Sequence, residues 1–283
     1  MSIWKGVTTP TEGGVTHKSA LSFLYHPCFA MYPSHMSEFP PVVVINLERA
    51  PDRRKMMAEH LDAMGISHRF LAAVDGKQLT PEQQKQYSRT KTFVRLNRDL
   101  HPNEIGCAHS HINAWREAAA ADREVLIMED DIRLHDDFRR VVETREQWLP
   151  ADWDVVNLAH DIAKPVDLKP CPVADLSYKS VCSFEGVVGR AACYLVHPES
   201  AKKLVECALP IAMPADDILG DASVNELNIY GIEPRIATWR DAEECPSNIW
   251  AGAKMDSFTE ESRSSGVGLL MRVFTRIHRT FRK

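Results

Sequence analysis

Three consecutive acids, Glu129, Asp130 and Asp131, follow directly on the apolar run Val125-Leu126-Ile127-Met128. Four large apolar residues that end abruptly in charge read as a buried strand whose carboxyl end reaches solvent. In open α/β sheets ligands bind at that end of a strand, so the acids stand where they could act on one. Adjacent carboxylates repel one another, and a divalent cation offsets the repulsion most readily. An all-oxygen ligand set suits Mg2+ or Mn2+, ions that can hold substrate phosphates at the same time. This chemistry would serve a transfer from a nucleotide-sugar, whose departing diphosphate gathers negative charge. Read alone, the three acids are equally compatible with capping a helix that follows them.

The elements that must position these acids are legible as an alternation of strands and helices. Val42-Val43-Val44-Ile45 is a continuous β-branched run of the buried-strand kind. From Asp52 the pattern turns helical, with Met57, Leu61 and Met64 at i, i+4 and i+7; Asp52 is placed to cap the start and Gly65 to close the end. A strand over 68–72 runs into the turn Val74-Asp75-Gly76. Residues 80–100 are polar and basic with little period, which predicts a loop that could fold over a ligand or lie solvated. Asn103 is placed to cap a helix whose Ile105, Ala108, Ile112, Trp115 and Ala119 form an apolar stripe, with His109, Asn113 and Arg116 opposite. After the acids come a helix from Phe138 to Trp148, a strand at 155–156, a Pro-rich loop over 164–172, a strand at 193–196 and a helix over 198–208. The alternation implies an α/β sheet that is at least partly parallel.

Four segments carry a resemblance. Val43-Val44-Ile45-Asn46-Leu47 with Asp52-Arg53-Arg54, Ala73-Val74-Asp75-Gly76, Glu104 through His111 with Trp115, and Leu126 through Asp131 occur in order at characteristic spacing. Over 42–250 the chain resembles glycosyltransferase family 25, which includes galactosyltransferases of bacterial lipooligosaccharide synthesis and collagen galactosyltransferases. The resemblance implies a GT-A, Rossmann-like fold with a mixed, mostly parallel sheet, a nucleotide-sugar donor (often UDP-galactose), Mn2+ or Mg2+, and inversion at the anomeric carbon. It matches Glu129 and Asp131 to the ends of a DxD-like motif whose second acid faces the metal, both being candidate ligands, with Asp130 between them either structural or on the donor side. Asn46, Arg53 and Asp75 match positions bordering the nucleotide pocket. For Arg53 and Arg54 the alternatives are a bidentate grip on phosphate and an exposed pair on a first helical turn. Ser110 and His111 match a Ser-His pair; a histidine one turn before Trp115 is also a common packing residue. The run from Glu185-Gly186 to Tyr194 matches a glycine-containing segment that leaves backbone room beside the sugar. Pro214-Ala215-Asp216-Asp217 matches the segment that carries an acceptor-side acid, with Asp216 at the matching place. An inverting transfer needs a base for the acceptor hydroxyl, and either Asp216 or Asp217 would serve unless Asp217 caps a helix over 218–227.

The 283 residues suffice for one large α/β domain, expected at 41–260 between an N-terminal extension, 1–40, and a C-terminal segment, 261–283. A formal charge of −5 offers no global field for nucleic acid. Seven scattered cysteines, none in CxxC spacing, predict reduced thiols of a cytoplasmic protein. Leu270, Val273, Phe274, Ile277 and Phe281 follow helical spacing, while Arg272, Arg276, Arg279, Arg282 and Lys283 add five charges with no acid, so −5 less +5 leaves −10 on the remainder. That pattern predicts a helix roughly 24 Å long lying on an anionic membrane surface; its alternative is packing on the domain. The expectation is therefore an inverting hexosyltransferase, peripheral on the inner face of the cytoplasmic membrane, moving galactose from UDP-galactose to a lipid-linked lipopolysaccharide or lipooligosaccharide sugar. The rivals are a catalytically silent carbohydrate-binding relative and a collagen-type protein galactosyltransferase, the latter disfavoured because no secretory or retention signal is recognisable.

Overall fold

A computed structural model describes residues 38–161, 163–171 and 177–240. The extension over 1–37, Cys28, Cys245 and the basic segment 268–283 lie outside these residues.

The first β-loop-α unit forms as its pattern predicts. β1 (Val42–Asn46) is buried along its length, and α1 (Pro51–Ala63) follows it. Proline occupies the first turn of α1, where its missing N–H costs nothing, and Asp52 lies inside the helix without capping it. Gly65, at φ 64°, closes α1: Ile66 N donates to Leu61 O at 2.9 Å and Gly65 N to Asp62 O at 2.9 Å, the paired bonds of a Schellman cap. β2 (Arg69–Ala72) leads to a short 3-10 turn, Gly76–Gln78, capped by the Asp75 side chain.

Residues 80–100 are not a loop. They form α2 (Pro81–Lys85) and α3 (Arg89–Leu96), started by side-chain caps from Thr80 and Ser88. Helices this short show no long apolar period, which is why the pattern was silent. Phe93 and Thr92 are buried, so the segment is docked on the protein. α4 (Pro102–Ala119) is capped by His101 rather than Asn103, with Glu104 completing a capping box. Its apolar stripe is buried as expected, but so is His109, whose Nε2 meets Gln83 O at 3.0 Å because α2 covers that face.

β3 (Val125–Glu129) ends in the acids, and the chain continues into another strand, β4 (Ile132–Leu134). The acids therefore cap no helix; α5 (Phe138–Glu143) begins further on. β5 (Val155–Asn157), the short strands β6 (Lys164–Pro165), β7 (Leu168–Pro170), β8 (Lys179–Val181) and β9 (Phe184–Glu185), and β10 (Cys193–Val196) come next. The Pro-rich stretch is thus partly strand. α6 (Pro198–Ala208), α7 (Ala215–Gly220), α8 (Ala222–Asn225), β11 (Ile229–Glu233) and β12 (Ala237–Trp239) complete the described chain.

Eight strands form one sheet in the order β2-β1-β3-β10-β5-β11-β8-β7. The pairs β1/β2, β1/β3 and β5/β11 are parallel, whereas β3/β10, β10/β5, β11/β8 and β8/β7 are antiparallel. The fold is α/β, Rossmann-like and mixed, as expected, but parallel pairing does not predominate. A fully buried strand carries the same apolar run whichever way it points, so direction is not written in it. Side chains alternate between two cores: Val43, Ile45, Ile127 and Tyr194 face α4 and α6, while Val44, Leu126, Met128 and Leu195 face α1 and α5. Register places Asn46 opposite Ala72 and Ile45 opposite Glu129, so β1, β2 and β3 end together. The resulting open cleft is lined from their carboxyl ends.

Candidate active site

The cleft encloses about 630 Å3 of space, part of it open to solvent, and Arg53, Asp75, Ser110, His111, Glu129 and Asp131 are among its walls. The acidic triplet divides into distinct roles. Asp130 is buried, accepting from Asn46 Nδ2 at 2.6 Å and from an Arg53 terminal nitrogen at 2.9 Å. Burial pushes its carboxyl up, opposed by the Arg53 charge and the Asn46 bond. With both oxygens engaged inside the protein, Asp130 anchors the triplet. Asp131 pairs through Oδ2 with the other Arg53 terminal nitrogen at 3.0 Å and remains partly exposed. Arg53 thus spans two carboxylates, and it is neither an exposed first-turn residue nor uncommitted for phosphate. Arg54 instead lies 4.1 Å over the Phe70 ring.

Glu129 faces the cleft from the end of β3. Burial first, then the charges of Asp131, Asp216 and Asp130, push its carboxyl well up, with Arg53 opposing. Its Oε1 lies 3.3 Å from His111 Nε2 and 3.9 Å from Cys107 Sγ. Trp115 Nε1 donates to the Tyr194 hydroxyl at 2.8 Å, and that hydroxyl is 2.9 Å from His111 Nδ1. Since tryptophan can only donate, full satisfaction has Tyr194 donating to Nδ1 and Nε2–H donating to Glu129. His111 is fully buried, and burial lowers its pKa to about 4. Burial opposes charge on both groups, which meet at 3.3 Å through His111 Nε2 and Glu129 Oε1. Burial and the neighbouring Glu129 charge also push the Cys107 thiol up.

Ser110 ties elements together. Its hydroxyl donates to Gly106 O and accepts from Val74 N, both at 2.8 Å, which fixes α4 to the turn after β2. Asp75 accepts from Arg49 Nε at 2.7 Å and from Lys77 N at 3.0 Å. Burial would raise its carboxyl, yet these bonds and charges outweigh it and hold it low.

α7 brings the second acidic pair from the other side. Asp216 Oδ1 accepts from Ala191 N at 3.0 Å, and its charge reaches Glu129, His111, Cys107 and Tyr194. Asp217 faces differently: burial and then the Asp216 charge raise its carboxyl, and Arg98, which is bonded to Glu104 at 2.7 and 2.8 Å, opposes them. Neither acid caps a helix, since Pro214 precedes α7 and Asp221 caps α8.

Residues 39–219 match the family model described as glycosyltransferase family 25 (LPS biosynthesis protein). The chain belongs to glycosyltransferase family 25. It is 33% identical over 192 residues to a glycosyltransferase 25 family member of Anopheles gambiae, covering 63% of this chain and 31% of that protein. Procollagen galactosyltransferase 2 of Mus musculus is 31% identical over 207 residues, 66% of this chain and 31% of the relative. A probable inactive glycosyltransferase 25 family member 3 of Rattus norvegicus is 28% identical over 231 residues, 73% of this chain and 39% of the relative. The chain thus spans between 31% and 39% of the length of these three relatives.

Within this family 25 fold, sequence reasoning missed Arg49, Cys107 and Tyr194. Cys107 and His111 stand one turn apart on α4, a spacing that could have flagged them together. Tyr194 carried no signal beyond a hydroxyl on an otherwise apolar buried strand. The glycine-containing run 185–194 contributes chiefly through Ala191 and Ala192, whose backbone holds Asp216 and, through Glu129 N to Ala192 O at 2.8 Å, the end of β3.

Proposed function

We propose that the chain transfers a hexose with inversion, galactose from UDP-galactose in the leading case, to a sugar of a lipid-linked lipopolysaccharide or lipooligosaccharide. The observation that carries this reading is that Glu129 and Asp131, which line the cleft at the end of β3, share one electrostatic centre with Asp216 of α7, whose charge acts on Glu129. The family description and the printed name of the mouse relative support the lipopolysaccharide acceptor and the galactose donor respectively.

Several negative groups act on Glu129 against one opposing arginine, and a hard oxygen donor set with surplus negative charge fits a divalent cation. Glu129 and Asp131 would hold Mn2+ or Mg2+, which when bound would neutralise charge on the diphosphate leaving group. The residues of the chain do the rest. Asn46 and Arg53, through Asp130, fix the triplet against β1 and α1. Asp75 and Ser110 shape the nucleotide side of the cleft. Asp216, held through Oδ1 by Ala191 N–H, keeps its other oxygen for the acceptor hydroxyl proton. As that hydroxyl oxygen bonds to the anomeric carbon, its proton passes to Asp216 and the sugar–diphosphate bond breaks. Asp217, whose charge is offset by that of Arg98, is the weaker candidate for the base.

Residues 268–283 supply the membrane contact in this reading, on the inner face of the cytoplasmic membrane. The deciding experiment is turnover of a panel of UDP- and GDP-sugars, with lipopolysaccharide-core and collagen-peptide acceptors, with Mn2+ and with EDTA. Full activity in EDTA would remove the metal. Transfer to collagen peptide alone would move the chain to the protein-modifying branch. The name of the rat relative favours one further reading, a catalytically silent member, for which absence of turnover with every donor together with retained glycan binding would speak.

A further inference from the structure

Beside the acids lies an arginine pair packed on an exposed tryptophan. The Arg190 guanidinium sits 4.5 Å and that of Arg235 5.4 Å from the centre of the Trp239 ring, and Trp239 is 38% exposed. Between them stands a single acid, Asp161, 3.5 Å from Arg190 Nε and 3.8 Å from an Arg235 terminal nitrogen. Among the described residues two guanidinium groups are thus paired directly with one carboxylate, and Arg235 also donates from a terminal nitrogen to His160 O at 3.2 Å.

The cluster is attached to the catalytic acids through backbone. Trp239 pairs with Ile132, the residue after Asp131, and Arg240 N donates to Asp131 O at 2.9 Å. Arg190 directly precedes Ala191, whose N–H holds Asp216. Arg190 also sits at φ 71°, a left-handed conformation rare outside glycine that persists only when its surroundings impose it. Here they do: the buried Asn157 donates to Arg190 O at 2.9 Å, and Gly189 exchanges backbone bonds with Asp161 at 3.0 and 3.3 Å. The strained turn aims the side chain across Trp239. Among the described residues only its Nε is engaged by a hydrogen-bond partner, leaving the terminal N–H groups toward solvent. A guanidinium stacked on an aromatic ring keeps its edge donors available, the geometry that receives a carboxylate or phosphate through two parallel bonds.

The geometry points to an anion subsite made by Arg190, Arg235 and Trp239, which takes the phosphate or carboxylate of a substituted saccharide as the acceptor is presented to Asp216. The assignment to the acceptor rests on the transferase reading above; the anion site itself does not. A phosphate could also come from the donor diphosphate, so the test must separate the two sources.

Binding of glucose 6-phosphate and of glucose to the full chain is measured by ligand-observed NMR, alone and with saturating UDP or GDP. The phosphorylated probe binds more tightly than glucose, persists beside the nucleotide, and weakens about tenfold in Arg190→Met or Arg235→Met, the loss of one charge-assisted contact. Arg235 lies outside the strained turn, so Arg235→Met decides the matter if Arg190→Met fails to fold. Displacement of the probe by nucleotide would assign the arginines to the donor and overturn the acceptor subsite. Equal affinity for the two probes, no binding of either, or variants that bind like the parent would overturn the anion site altogether. With a working donor, the same variants raise the KM of anionic acceptors about tenfold and leave the donor KM unchanged. Should no donor turn over, the transferase reading fails while probe binding still decides the subsite.

Discussion

The three acids after β3 look interchangeable as letters and differ in what touches them. All three line the cleft, but Asp130 has both oxygens tied to Asn46 and Arg53, whereas Asp131 is tied through one oxygen and Glu129 meets His111. Glu129→Gln and Asp131→Asn keep volume and remove charge, so each is expected to lower transfer by about 100-fold or more with little change in thermal midpoint. Asp130→Ala acts differently, because it leaves Arg53 half-paired in a site where only 13% of its side chain is exposed. It should cost about 3–5 kcal/mol in a urea titration, as loss of one partner of a buried pair does. A thermal profile in which Asp131→Asn is the less stable of the two would reverse these roles. The same logic separates the acids of α7: Asp216→Asn removes the proposed base and should reduce kcat by about 100- to 10,000-fold, while Asp217→Asn, at a carboxyl offset by the Arg98 charge, should spare most of it. Steady-state kinetics on the two variants tests that order, and equal losses would refute it.

Elements bring these residues together through close backbone approaches. A Cβ on Gly106 would lie 2.6 Å from both Gly76 N and Val74 O, so α4 touches the turn after β2 where no side chain fits. Ser110 bonds across the same seam. Gly106→Ala must push α4 away and is expected to cost about 1–3 kcal/mol as overpacking. Ser110→Ala strands the Val74 N–H at about 1–3 kcal/mol. Both should weaken donor binding, since the seam is the cleft wall. Unchanged urea midpoints in both variants would show the seam to be compliant. Much of this was legible in sequence: each strand from 42 to 46, 125 to 129 and 193 to 196 announces itself by a continuous apolar run, and the acids stand at the end of one. The short helices of 80–100 were not, because capping by Thr80 and Ser88 fixes them without a period. Nor was the antiparallel entry of β10, since burial on both faces erases direction. The Arg190–Trp239 cluster was equally silent, for it depends on a left-handed residue and on a pairing between distant strands.

At the scale of the whole chain, charge is distributed unevenly. Residues 268–283 carry five positive charges and no acid, against −10 on the remainder, and their apolar residues recur at helical spacing. Sixteen residues with five charges fall short of a spanning stretch, so an attachment made by this segment would be interfacial. An acidic body is repelled by an anionic bilayer while the basic segment is attracted, with about 1 kcal/mol expected from each arginine or lysine near the surface. Sedimentation with vesicles separates the contributions. The full chain should bind vesicles of mixed phosphatidylglycerol and phosphatidylcholine, lose binding as salt rises because the screening length shortens, and ignore pure phosphatidylcholine. A chain ending at residue 267 should not bind either, while retaining turnover of a soluble acceptor and losing it with a lipid-linked acceptor at low concentration. Equal binding of the full and shortened chains would place the membrane contact on the body of the protein. Binding insensitive to salt would show that the apolar side, not the charge, carries it.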